Sequence, residues 1–177
     1  GDIPDLLNPT LKRLLPEPFL LADMERAVAR VQTAIEANEK IAVFGDYDVD
    51  GSCSAALVHD YLGALGKPPR VYIPDRMTEG YGPSPRAMKT LREEGASLVI
   101  TVDCGATAKA AFETARDVGL DVVVLDHHAT EALPPALAHV NPNRAGDTSG
   151  LNDLCAAGVT FLFLVALNRS LRASGWF

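Results

Sequence analysis

The chain has 177 residues, 47% of them hydrophobic and 22% charged, with a formal net charge of −7 at pH 7. That length and balance fit one ordinary core with no internal repeat or low-complexity segment. The acidic balance argues against a protein that coats nucleic acid nonspecifically, but it does not exclude a nuclease, because carboxylates gathered around cations count as negative and yet attract phosphate through the metal.

In chain order, the start Gly1-Asp2-Ile3-Pro4-Asp5 lacks the basic and apolar pattern of a signal peptide, and the longest apolar stretch, Val159 to Leu167, is shorter than a bilayer span. The expectation is a cytoplasmic protein with no membrane contact. Residues 1–22 carry Pro4, Pro9, Pro16 and Pro18, which forbid a long helix, so they read as an extended arm laid on a domain formed by residues 23–177. From Asp23 to about Glu39, Met24, Ala27, Val28, Val31, Ala34 and Ile35 recur at helical spacing, with Asp23 as the N-cap. Four apolar runs follow, Ile41–Phe44, Val71–Ile73, Leu98–Val102 and Val122–Leu125, and read as buried parallel strands. Between them lie helical patterns at Ser52–Leu65, Ser84–Glu94 and Thr107–Val118, each followed by a glycine suited to a C-cap. Ala138–Val140 adds a short fifth strand, and Asp153 to about Arg172 reads as an apolar closing helix. The alternation predicts an α/β fold: an open, mainly parallel, doubly wound sheet of about five strands with flanking helices. Cys53, Cys104 and Cys155 lack the spacing of a zinc site or disulfide framework and read as free thiols.

The chemistry gathers at strand ends. Asp46, Asp48 and Asp50 follow the first strand within Gly45-Asp46-Tyr47-Asp48-Val49-Asp50-Gly51; Asp103 follows the third, and Asp126-His127-His128 follows the fourth. Open α/β sheets bind ligands beyond the carboxyl ends of their strands, and neighbouring strands lie about 4.8 Å apart, so three such turns converge. Crowded carboxylates repel one another unless a cation sits among them. One ion satisfies four or five ligands; the surplus suits two, with Asp103, alone at its turn, as the bridge. Mixed carboxylate and imidazole ligation favours Mn²⁺, with Mg²⁺ as the alternative. Adjacent histidines on extended backbone point apart, so one ligates and the other faces substrate or a carboxylate. The predicted chemistry is metal-assisted phosphoester hydrolysis. Arg76 and the Gly80-Tyr81-Gly82 loop are candidates for contact with phosphates or a stacked base, and Arg144 is a further candidate. Arg86, Lys89 and Arg92 lie at helical spacing and read as a solvated basic face or a contact surface.

The ordered set GDYDVDG, Glu79-Gly80-Tyr81-Gly82 with Ser84-Pro85, Thr101-Val102-Asp103-Cys104-Gly105, Asp126-His127-His128, Asn141-Pro142-Asn143 and Gly175-Trp176-Phe177 resembles the DHH phosphoesterase superfamily, and most of all its single-strand-specific 5′-to-3′ DNA exonuclease branch. The resemblance implies that Asp48 and Asp50 bind two ions, Asp103 bridges them, His127 ligates, Asp126 is a ligand or its partner, and His128 meets the scissile phosphate. Many relatives carry a histidine where Phe44 stands, which shifts ligation towards Asp46 or water. It also implies a further metal-binding aspartate beyond the GWF segment and additional C-terminal modules. The sequence ends at Phe177, so the expectation is a fragment with most of a two-metal site and weak activity alone.

The leading expectation is therefore removal of nucleotides from single-stranded DNA in repair and recombination, with single-stranded DNA and a protein that coats it as partners. Two others stand beside it. One is the same chemistry on pyrophosphate, short RNA or cyclic dinucleotides, whose enzymes typically carry a histidine and Asn-Pro before the paired aspartates, unlike Gly45-Asp46-Tyr47. The other is a catalytically incomplete nucleic-acid-binding domain, separable by metal titration.

Overall fold

The computed structural model describes residue 3 and residues 7–177. The first part of the expected arm, Gly1, Asp2 and residues 4–6, lies outside the described residues. The rest of the arm is a short helix, α1 (Leu11–Leu14), and a 3₁₀ turn, Pro18–Leu20. Pro18 and Leu21 are buried, whereas Leu7, Leu11 and Leu14 stay exposed.

Then follow α2 (Met24–Glu36), β1 (Ile41–Gly45), α3 (Val49–Ala64), β2 (Arg70–Tyr72), α4 (Pro85–Glu93), β3 (Leu98–Val102), α5 (Lys109–Asp117), β4 (Asp121–Leu125), β5 (Ala138–Val140) and α6 (Ala156–Ala173). The sheet order is β2-β1-β3-β4-β5 and every pairing is parallel. This is the expected doubly wound α/β sheet. Because β2 lies to one side of β1 and the later strands to the other, the topology switches between β1 and β3, where such folds open a crevice.

Side chains of a strand alternate between faces. Val43, Leu98, Ile100, Val123 and Leu125 pack with α2, α3 and α6, while Ala42, Phe44, Val99, Val122 and Val124 pack with α4 and α5. Both faces are dry, which is why the strands read as apolar runs instead of alternating ones. Phe112 and Phe163 sit wholly buried, one in each layer; truncating either to alanine costs about 3–5 kcal/mol. Phe44 belongs to this core too, stacked on Tyr72 with ring centroids 5.3 Å apart.

By length and composition α6 is apolar enough to cross a membrane, but half of it is buried inside the fold. Its Val159, Phe163, Leu167 and Leu171 belong to the core layer shared with α2 and α3.

Two helix starts differ from expectation. Asp23 precedes α2 but adopts φ 60° and caps nothing; its carboxylate instead accepts from Arg144 Nη1 at 2.7 Å and His139 N at 3.1 Å, tying α2 to β5. Helix α3 begins three residues earlier than its apolar pattern, because Asp48 accepts from Gly51 N and caps it. Ser84 caps α4 as expected, accepting from Ala87 N. Gly51 permits the early start of α3: a Cβ there would stand 2.6 Å from the Asp46 carbonyl oxygen, so only glycine lets the first turn seat against the β1 turn.

Candidate metal centre

Three turns at the carboxyl ends of β1, β3 and β4 meet at the switch point, with β3 between the other two. Asp103 is the pivot. It follows β3 directly, is 2% exposed, and adopts φ 58°, the left-handed region that a residue with a side chain enters at a cost. Its Oδ1 is buried and has no hydrogen-bond partner among the described residues. Burial pushes its pKa up to about 8, assisted by a shared proton with Asp48 and by the charges of Asp50 and Asp48. A carboxyl group left short of donors among other carboxylates, with an orphaned buried oxygen, is what a cation site looks like without its cation.

Two groups of potential ligand atoms surround it. Within Asp46, Asp48 and Asp103 the atoms lie within 4.8 Å of one another, and the same holds within Asp103, His127 and His128. Asp103 belongs to both. The residues fit a hard or borderline divalent ion: carboxylate oxygens on one side, a carboxylate and imidazoles on the other.

The remaining expected residues take other places. Asp50 lies in the first turn of α3 and points at the start of α6, accepting from Ala156 N and Ala157 N at 2.8 Å each. It falls outside both groups, although its Oδ2 is 3.7 Å from His127 Nε2. The same ring nitrogen is 3.4 Å from Asp103 Oδ1. Asp126 is also outside them. Its Oδ2 accepts from Ala106 N at 2.9 Å, and its Oδ1 accepts from His127 N, His128 N and His128 Nδ1 at 2.7, 3.2 and 2.7 Å. Burial opposes its ionisation, but the bonds from His128 and Ala106 outweigh it and hold the pKa below the usual value. Because a carboxylate only accepts, His128 Nδ1 must carry the proton, leaving Nε2 for another partner. The bond to Asp126 raises the His128 pKa despite partial burial.

Among the substrate candidates, Tyr81 donates from its hydroxyl to the Asp103 carbonyl at 3.2 Å and meets His128 edge-on, ring centroids 6.2 Å apart. Gly82 follows with φ 75°. Burial raises the pKa of Asp46, opposed in small part by Arg76, which lies over the Tyr47 ring at 5.4 Å. Arg144 has a different occupation: its Nη1 donates to Asp23 and, at 2.8 Å, to the His139 carbonyl, with its side chain 13% exposed. On the expected basic face, Arg92 donates to the carbonyls of Val118 and Ala96.

Three residues with no role read from sequence also belong to the site. Asn141 and Asn143 donate to the carbonyls of His128 and His127, and Asn152 braces them from the loop before α6. The signal was the Asn-Pro-Asn triplet directly after β5, the strand beside the one that carries the histidines.

A parallel sheet whose switch point gathers carboxylates and histidines around one shared aspartate defines a metal-binding α/β domain. The chain belongs to the DHH family: residues 40–174 match that family's N-terminal domain. It is 40% identical over 152 residues to the single-stranded-DNA-specific exonuclease RecJ of Bacillus subtilis, covering 85% of this chain and 19% of the relative. It is 37% identical over 173 residues to RecJ of Escherichia coli, covering 97% of this chain and 30% of the relative. A crystal structure of exonuclease RecJ bound to manganese superposes with a TM-score of 0.74 at 35% identity, covering 85% of this chain and 38% of that one. The chain thus spans less than a third of the length of either of these two sequence relatives.

Proposed function

We propose that this domain hydrolyses phosphodiester bonds of single-stranded DNA from the 5′ end, as the metal-dependent catalytic part of an exonuclease. The observation that carries the reading is the pair of ligand groups sharing Asp103 at the switch point. Asp46, Asp48 and Asp103 would hold one Mn²⁺ and Asp103 with His127 a second, with Mg²⁺ as the substitute; the exonuclease RecJ structure similar to this domain is described as manganese-bound. When bound, such ions acidify a water and stabilise charge on a transferring phosphoryl group.

The chain's own groups do the rest. Asp126 fixes the tautomer of His128 and raises its pKa, so that the imidazolium Nε2–H can donate to a non-bridging phosphate oxygen. Tyr81 closes over His128 and buttresses the strained Asp103 backbone, while its exposed ring offers a face on which a base can stack. Arg76, exposed beside the acidic edge, supplies a cation for the following phosphate. Asp50 joins the site to α6, leaving His127 to turn between it and Asp103. Three free cysteines suit a reducing cytoplasm, and service in repair and recombination beside a single-strand-coating protein follows from the substrate.

The test is incubation with 5′-phosphorylated single-stranded DNA in Mn²⁺, with duplex DNA and an Asp103→Ala variant as controls. Progressive loss from the 5′ end of the single strand, absent in the variant, is expected. Cleavage only of pyrophosphate or dinucleotides would move the domain to the small-substrate enzymes.

A further inference from the structure

The Asn-Pro-Asn turn after β5 holds the two histidines by their backbones, one asparagine to each. Asn141 Nδ2 donates to the His128 carbonyl at 2.9 Å, and Asn143 Nδ2 donates to the His127 carbonyl at 2.8 Å. Neither carbonyl takes part in a strand pairing, and among the described residues neither accepts from another turn or loop amide. The asparagines are themselves locked. Asn143 N donates to Asn141 Oδ1 at 2.8 Å, and Asn152 Nδ2 donates to Asn143 Oδ1 at 3.1 Å and to the Pro142 carbonyl at 2.9 Å. Asn141 is 1% exposed, so water cannot readily replace its amide.

Holding a carbonyl holds the peptide plane on its C-terminal side, so Asn143 fixes the plane that follows His127 and joins it to His128, and Asn141 fixes the plane that follows His128. That matters here because the two rings are adjacent in sequence yet serve different partners. His127 Nε2 faces Asp103 and Asp50, whereas His128 Nδ1 is bonded to Asp126. The ring centroids are only 4.7 Å apart, so the two rings share one small volume and reach different partners only while each keeps its direction.

We infer that Asn141 and Asn143 are positioning residues with separable tasks: Asn143 orients His127 as a metal ligand, and Asn141 orients His128 towards the phosphate. The inference rests on the metal-dependent phosphodiesterase reading above. Aspartate is the sharp probe at both positions. It is isosteric and retains the accepting oxygen, but sets a second acceptor against a carbonyl where a donor had stood. Alanine is the milder probe, since it removes the donor without setting a second acceptor against the carbonyl.

The measurements use this chain and need no turnover: Mn²⁺ affinity from the electron paramagnetic resonance signal of free Mn²⁺, and inorganic phosphate affinity of the Mn²⁺-loaded protein from ³¹P relaxation. Asn143→Asp is expected to weaken Mn²⁺ binding about 10-fold or more. Asn141→Asp is expected to leave Mn²⁺ affinity within about twofold and to weaken phosphate binding about 10-fold. The alanine variants follow the same split with smaller losses, and serve if an aspartate variant fails to fold. Wild-type Mn²⁺ affinity with Asn143→Ala, or equal loss of Mn²⁺ affinity at both positions, overturns the inference. Failure of a chain extended beyond Phe177 to cleave single-stranded DNA would overturn the nuclease reading instead, and leaves both binding measurements decisive.

Discussion

Asp103 and Asp126 occupy equivalent places on adjacent strands, each the first residue beyond its strand and each nearly sealed from water at 2% and 0% exposure. Their electrostatics are opposite. Four donors converge on Asp126, and its pKa lies below the usual carboxylate value. Asp103 has an orphaned oxygen and acidic neighbours, and its pKa is pushed up to about 8. Burial alone therefore does not decide the charge of a carboxylate; the number of donors aimed at it does. The saturated one is an internal anion that orients an imidazole. The starved one holds its proton past neutral pH until something cationic joins it, which makes it the natural centre of a metal site.

Asp103 carries the largest expected effect. Asp103→Asn removes the shared ligand and is expected to lower Mn²⁺-dependent hydrolysis by ~10³-fold or more. In chelator the same variant should melt a few degrees higher than wild type, since an amide has no charge to desolvate; a lower melting temperature would show that Asp103 is not a strained group.

Next comes Asp126→Asn, which sets an amide donor among four donors. A loss of about 3 kcal/mol is expected in urea unfolding, with or without metal. A loss seen only with metal would make Asp126 a ligand instead.

Gly51→Ala should cost about 2 kcal/mol, because its Cβ would meet the backbone of Asp46 at 2.6 Å and neither backbone can yield cheaply. It should also weaken Mn²⁺ binding by displacing Asp46, measurable by calorimetry.

pH sharpens the contrast. Asp103 binds its proton more tightly folded than unfolded, so between its ordinary value of 3.8 and about 8 the folded state holds more protons and its contribution to stability falls as pH rises. Asp126 has the reverse sign: its contribution is present above 3.8 and disappears as pH falls through its lowered folded value. Melting in chelator at pH 5 and pH 8 should therefore show a loss at the higher pH that Asp103→Asn abolishes. Added Mn²⁺ should raise the melting temperature more at pH 8 than at pH 5, because fewer protons compete for Asp103 there.

The smallest effect is expected from Tyr81→Phe, which removes one hydrogen bond to the Asp103 carbonyl and should cost about 1 kcal/mol or less.

Much of the fold was legible because buried parallel strands leave an apolar signature. Leu98–Val102 and Ala138–Val140 match their runs, and β1 and β4 differ by a residue. Helix starts were less legible where a polar residue had two uses. Asp23 reads as a cap and instead crosses to β5 and Arg144, which in turn draws Arg144 from the substrate role its charge suggested. Asp50 reads as one more loop carboxylate and sits on a helix, facing the first amides of another 106 residues away. The asparagines of the NPN turn carried no visible task, because donating to a distant carbonyl leaves no periodicity.

That strands end in acidic and histidine-bearing turns at one edge of a parallel sheet could be read from the chain alone, because hydrophobic runs and the residues that follow them are local properties. Only the tertiary structure decided which of those carboxylates are free to hold a cation. That depends on the donors that reach each one: four for Asp126, three from the two histidines after it and one from Ala106 twenty residues away; two amides of a remote helix for Asp50; and, among the described residues, none for Asp103 Oδ1.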